Sequence, residues 1–144
     1  IQKEVKTKVQ FILNTDYKLG LSESIKAAFT YFQNNGLYFD SVLILLGDQP
    51  AIEIDYLKNM IKKQEEYPTK IIASSYGDKR GVPASFPKNY FKSLQLLKGD
   101  FGAKELMKAH KDELFTMQLP ADLVDIDTPA DYQHYLQKIK AKHV

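Results

Sequence analysis

The stretch that most constrains this chain is Val42-Leu43-Ile44-Leu45-Leu46, five apolar residues in a row that end abruptly in Gly47-Asp48-Gln49-Pro50. A run that short, β-branched at two positions and closed by glycine and proline, predicts a strand buried on both faces. Strands of that kind lie in the middle of parallel sheets, with helices covering both sides. The run stops at a carboxylate. In an open parallel sheet, ligands bind beyond the carboxyl ends of the strands, so Asp48 stands where such a fold presents chemistry. An aspartate at that place suits Mg²⁺, a hard cation that takes oxygen ligands and leaves room for substrate phosphates. The alternative is that Gly47-Asp48 is only a turn, with Asp48 closing it.

The rest of the chain supplies partners for that strand. Residues 1–8 are polar and basic and read as a helix tail or a linker. Residues 9–13 (Val-Gln-Phe-Ile-Leu) predict a strand stopped by Asn14-Thr15-Asp16. A helix then starts at Ser22 as N-cap, with Ile25, Ala28, Phe29 and Phe32 on one face. Asn34-Asn35-Gly36 closes it. Residues 54–66 form a second helix with Leu57, Met60 and Ile61 as its stripe, ended by Pro68. Residues 70–75 predict a buried strand and residues 76–81 a loop or hairpin. Residues 82–86 are extended, and Pro83 and Pro87 argue against a central position in a sheet. Short helices are expected at 89–97 and 103–110, and strands at 114–119 and 123–127. Thr128 caps a last helix, with Pro129 at its first position and Asp131 at N3.

Strands alternating with helices predict a single three-layer α/β/α domain over residues 1–144, Rossmann-like, with a mostly parallel sheet. One feature of such domains is missing. Neither GxGxxG nor GxxxxGK[ST] occurs, so no glycine-rich turn is present to cradle phosphates.

Charge and composition narrow the partners. Twenty basic and 18 acidic side chains give a net charge of +2, too balanced to point to nucleic acid or an acidic membrane. The longest apolar runs are far too short to span a bilayer. The chain has no cysteine, which removes disulfides, thiolate nucleophiles and sulfur-ligated metals and is compatible with the cytoplasm. His110, His134 and His143 lack metal-ligand spacing and read as surface or capping residues.

Three constellations carry possible chemistry. The first joins Asp48 to Asp125 and Asp127, acids from a late segment just ahead of a capped helix. If the two segments end side by side, a pair of carboxylates converges on one point and suits Mg²⁺ with substrate phosphates. Against this, Asp127 is loop chemistry before Pro129 and Asp125 a solvent-facing strand residue. The second is Gly20-Leu21-Ser22-Glu23-Ser24, where glycine permits close backbone approach and a helix start offers N–H groups. Its plain alternative is a loop with a cap. The third is Arg80-Gly81-Val82-Pro83 with Gly99-Asp100-Phe101-Gly102, two glycine loops able to shape a second-substrate pocket. There Lys79 and Arg80 meet phosphate, or the loops are surface turns with solvated charges.

Taken in order, Asn14…Gly20-Leu21-Ser22…Ser24, Gly47-Asp48-Gln49-Pro50, Gly81-Val82-Pro83-Ala84-Ser85-Phe86, Leu97-Lys98-Gly99-Asp100-Phe101-Gly102-Ala103 and Asp125-Ile126-Asp127-Thr128-Pro129-Ala130-Asp131-Tyr132 resemble a MobA-like nucleotidyltransferase. The resemblance covers nearly the whole chain and is nearest to the molybdenum cofactor cytidylyltransferase (MocA) type. It implies a nucleotide-diphospho-sugar-transferase-like fold and transfer of CMP or GMP from CTP or GTP to a molybdopterin-type acceptor. Pyrophosphate is released with Mg²⁺, and a molybdoenzyme is the expected recipient of the product. Asp48 and Asp127 match the family's metal-binding acids. Gly20, Leu21 and Ser22 match the segment against the nucleobase, and Gly81, Pro83, Gly99 and Asp100 match loops on the acceptor side. The departures are Glu23, Lys104 and Ala130, where the family usually has a small polar residue, Arg and Glu. Nothing here matches the opening loop LAAGxSxRMGxxK, so the N-terminal βαβ unit that carries it is expected to be missing from these residues.

Overall fold

The computed structural model describes residues 9–119 and 126–142. Along them run α1 (Leu21–Asn34), β1 (Ser41–Ile44), α2 (Ile54–Glu66), β2 (Ile71–Tyr76), β3 (Lys79–Pro87), α3 (Phe91–Gln95), α4 (Ala103–Ala109), β4 (Leu114–Gln118) and α5 (Pro129–Lys142). Where a helix has strong punctuation, its bounds follow the sequence. α2 spans the expected 54–66 and ends just ahead of Pro68. α5 begins at Pro129, whose missing N–H costs nothing in the first turn. Gly36, past the end of α1, takes a left-handed φ of 62°, the conformation that glycine adopts without strain.

The described strands form one sheet in the order β1-β3-β2-β4. β3 is antiparallel to both neighbours, and β4 is parallel to β2. β1, β2 and β4 therefore point one way and β3 the other, which makes the sheet mostly parallel in direction. β2 and β3 are a hairpin, Tyr76 pairing with Lys79 across Gly77 at φ 60°.

Side chains alternate across this sheet. On one face, Ile71, Ala73, Ala84 and Phe86 pack with Phe29 of α1, Leu94 of α3 and Ala103, Leu106 and Met107 of α4. Phe29 meets Phe91 edge-on at 5.1 Å. Ile72 and Ser74 turn to the other face, where α2 packs with its fully buried Met60. The Tyr56 hydroxyl on α2 lies 2.9 Å from Ser74 Oγ, which in turn donates to the Pro83 carbonyl at 2.6 Å. The three layers expected from the sequence are present.

Four local expectations are corrected. Residues 9–13 form no strand. They are exposed and pair with no described strand, and apolar alternation alone does not make a ladder. The N-cap of α1 is Gly20, and Ser22 is a buried residue inside the helix. β1 is the edge of the described sheet, half-buried throughout, and Leu45 and Leu46 lie beyond its end, exposed at 44% and 39%. β3, in contrast, is a nine-residue inner strand despite its two prolines. Pairing with β2 jumps from Ala73↔Ala84 to Ser74↔Gly81, so Val82 and Pro83 bulge out of that ladder. Pairing with β1 stops at Ala84, and Pro87 closes the strand. Both prolines thus occupy places where no ladder donor is needed. The strand expected at 123–127 falls largely outside the described residues, Asp125 included. Ile126 and Asp127 are irregular.

Candidate functional site

The loop that follows β1 meets the segment ahead of α5. Ile126 N–H donates to the Asp48 carbonyl at 2.9 Å, a bond that joins residues far apart in sequence. Asp127 is therefore one residue from a contact made by Asp48 itself. The α5 start is then fixed by a local box. Asp131 Oδ2 accepts from the Thr128 N–H at 2.8 Å and from Thr128 Oγ1 at 2.7 Å, while the Asp131 N–H donates back to Thr128 Oγ1 at 3.2 Å. Those bonds, the hydroxyl's first, hold the Asp131 carboxyl below its usual range. Farther along α5, Tyr135 Oη donates to the Pro50 carbonyl at 3.0 Å.

The two acids differ in setting. Asp127 is exposed, whereas Asp48 Oδ1 is buried and has no hydrogen-bond partner among the described residues. A carboxylate oxygen withdrawn from water without a donor is costly, and a cation is one of the few ways to compensate it. The donor set is all oxygen, the chemistry that Mg²⁺ and Mn²⁺ prefer. No cluster of three or more His, Cys, Asp or Glu occurs among the described residues. A pair suits a cation that keeps waters and substrate phosphates as its other ligands.

Beside this point opens a cleft of about 1030 Å³ between α1, β1, the β2–β3 hairpin and the start of α4. Its floor is apolar, with Ile25, Phe29 and Phe32 facing Val42 and Ile44. Its mouth is charged, with Lys79, Arg80 and Lys104 beside Asp100 and Glu105. Lys79, Arg80 and Lys104 form no ion pair among the described residues, so their charge is available to an anion. Glu105 is already engaged, accepting from the Gly102 N–H at 3.1 Å at the start of α4.

The expected loop residues divide into two groups. Leu21, Gly81 and Asp100 line the cleft. Gly20, Ser22, Pro83 and Gly99 do not line it. Ser22 and Pro83 are fully buried. Gly20, at φ 116°, lies so close to the second loop that a Cβ on it would fall 2.2 Å from the Gly99 carbonyl carbon and 2.6 Å from Asp100 N. Ser22 N–H donates to the Gly99 carbonyl at 3.1 Å. The helix-start N–H expected to be open to a ligand is thus taken by the chain's own loop, and Gly20 and Gly99 form a clasp between the two glycine segments. Sequence reasoning missed Phe29 as cleft floor and Tyr135 as a link to the Asp48 loop. The only signal for Tyr135 was its position one turn beyond Asp131 on the same helix face.

Comparison with known proteins gives the family of the chain. The model of the MobA-like NTP transferase domain matches residues 2–114, which include Asp48, the glycine clasp and the charged cleft mouth and end before Asp127. The purine catabolism protein PucB of Bacillus subtilis (strain 168) is 28% identical over 120 residues, covering 81% of this chain and 56% of its own. A homologue, from Mycobacterium sp. strain JC1, of Mycobacterium tuberculosis Rv0371c superposes with a TM-score of 0.64 at 25% identity. That match covers 82% of this chain and 58% of the homologue. Rv0371c of M. tuberculosis H37Rv, solved as a complex with manganese, has a TM-score of 0.64 at 25% identity, covering 79% of this chain and 59% of its own. The chain thus spans less than two thirds of each of these relatives. With the match running through most of its length and both glycine loops in place, the chain belongs to the MobA-like NTP transferase domain family.

Proposed function

We propose that this chain belongs to a Mg²⁺-dependent nucleotidyltransferase that moves CMP or GMP from CTP or GTP to the phosphate of a molybdopterin-type acceptor. The observation that carries this reading is the buried Asp48 Oδ1, unpartnered among the described residues, at a backbone contact with the segment of Asp127. The manganese complex of Rv0371c, a relative, supports a divalent cation. The cation would be held by Asp48 and Asp127, and when bound it neutralises phosphate charge.

In the transfer, an acceptor phosphate oxygen forms a bond to the α-phosphorus of the nucleotide. The bond from that phosphorus to the bridging oxygen of the β-phosphate breaks, and pyrophosphate leaves with the electron pair. No proton donor or covalent nucleophile is required of the protein. Its task is to orient two anions and hold them together. Lys79, Arg80 and Lys104 supply positive charge at the cleft mouth, and the apolar floor excludes water behind the acceptor. Leu21, with Gly20 and Ser22 behind it, borders the nucleobase. Gly81, Pro83, Gly99 and Asp100 shape the acceptor side. The recipient of the product is a molybdoenzyme, and the reaction is cytoplasmic. No described helix is long and apolar enough to cross a membrane.

The test is pyrophosphate release by the intact protein with Mg²⁺, CTP or GTP and the acceptor. Asp48→Asn lowers it by about 100-fold or more, the scale expected for losing a cation that stabilises transferring phosphate. Near-normal turnover contradicts the assignment. A second reading is a nucleotide-holding module without catalysis, in which the charged mouth of the cleft holds an anion and nothing is transferred. It predicts nucleotide binding with no pyrophosphate under any acceptor. A related transferase acting on another phosphorylated acceptor gives release that follows that acceptor instead.

A further inference from the structure

We propose that Tyr135 is a positioning residue that holds Asp127 against Asp48 by tying α5 to the loop at 47–50. The proposal rests on the reading of Asp48 and Asp127 as a cation site. Two hydrogen bonds span the same two segments. Ile126 N–H donates to the Asp48 carbonyl at 2.9 Å, and Tyr135 Oη donates to the Pro50 carbonyl at 3.0 Å. Between them the Thr128–Asp131 box fixes the first turn of α5, so the helix from Thr128 onward moves as one piece. Asp127 sits between an anchor on one side and a pinned helix on the other.

This arrangement answers a problem set by exposure. Asp127 is open to solvent, and a carboxylate on a loose, exposed segment must be ordered each time it takes a cation. Tying both flanks of the segment to the Asp48 loop meets that ordering cost in advance. Tyr135 does so without touching the cation, much as outer hydrogen bonds orient the ligands of metal sites. Removing only its hydroxyl leaves the Pro50 carbonyl without this donor and leaves the segment held by the Ile126 bond.

The experiment compares the intact protein with Tyr135→Phe, and uses Tyr132→Phe, an exposed phenol on the same helix, as control. Two readouts are taken besides activity: hydrogen exchange of the Ile126 amide, and Mn²⁺ affinity by electron paramagnetic resonance. In Tyr135→Phe, Ile126 exchanges about fivefold faster, as expected for losing one hydrogen bond that restrains the segment. Mn²⁺ binds about tenfold more weakly, the lower end of the range for losing an outer partner of a metal site. The thermal transition of the core does not move, and Tyr132→Phe changes neither readout. Unchanged exchange overturns the proposal. Faster exchange with unchanged Mn²⁺ affinity also overturns it, because the bond then only anchors a helix. Failure of the unsubstituted protein to bind Mn²⁺ contradicts the cation site itself and is distinguishable from both.

Discussion

A methyl group added at Gly20 would have no place to go. Its nearest neighbours would be the Gly99 carbonyl carbon at 2.2 Å, the Gly99 oxygen at 2.3 Å and Asp100 N at 2.6 Å, all backbone. The φ of 116° with ψ of 176° is also a region reserved for glycine. Gly99 is different. It too has positive φ, 59°, but a Cβ there meets nothing nearer than the Leu19 carbonyl at 4.0 Å. Gly20→Ala should therefore destabilise the fold by about 3 kcal/mol, adding steric overlap to backbone strain. Gly99→Ala should cost only about 1–2 kcal/mol, the left-handed penalty alone. Urea unfolding of both variants checks the asymmetry, and equal losses would contradict the clasp. The sequence showed that Gly20 permits close approach but not what approaches. The partner is the chain's own second glycine loop, about 80 residues on, and no local pattern reports a contact at that separation.

Elements with strong local signals were legible. Pro68 and the Thr128-Pro129-Ala130-Asp131 series fixed a helix end and a helix start, because caps and prolines act within a turn. The rank of a strand within the sheet was not legible. The apolar run at β1 looked central and is an edge among the described strands, while β3 with its prolines looked peripheral and lies inside. Strand order is decided by partners, and a bulge that shelters Pro83 exists only in the pairing. The start of α5 makes its own prediction. The Asp131 carboxyl is held below its usual value by bonds present in the folded state, so folding favours its ionised form. That contribution is complete above the unfolded value, near pH 4, and is lost as pH falls through the lower folded value. Acidification below about pH 4 should fray the first turn of α5 before the sheet core is lost. Asp131→Asn should fray it at neutral pH and flatten this pH dependence. Amide exchange at Thr128 and at residues 130–132 reads both effects, and a pH-independent first turn in the unsubstituted protein would contradict the box.

At the scale of the molecule, the helices on one face of the sheet and α2 on the other bring the loop after β1 and the pre-α5 segment together beside a cleft with an apolar floor and a cationic mouth. The carboxylate pair was legible as two motifs. Their convergence was conditional on strand neighbours; what joins the two segments is the Asp48–Ile126 backbone bond. The central claim is that Asp48 and Asp127 take one divalent cation. The most direct measurement is titration of the isotope-labelled intact protein with Mn²⁺, following paramagnetic broadening of assigned amide resonances. The account predicts that Gly47, Asp48, Gln49, Ile126, Asp127 and Thr128 broaden first and together, and that Asp48→Asn abolishes the effect at the same Mn²⁺ concentration. Broadening centred on another part of the chain, or broadening at residues 47–49 that leaves 126–128 untouched, would contradict it.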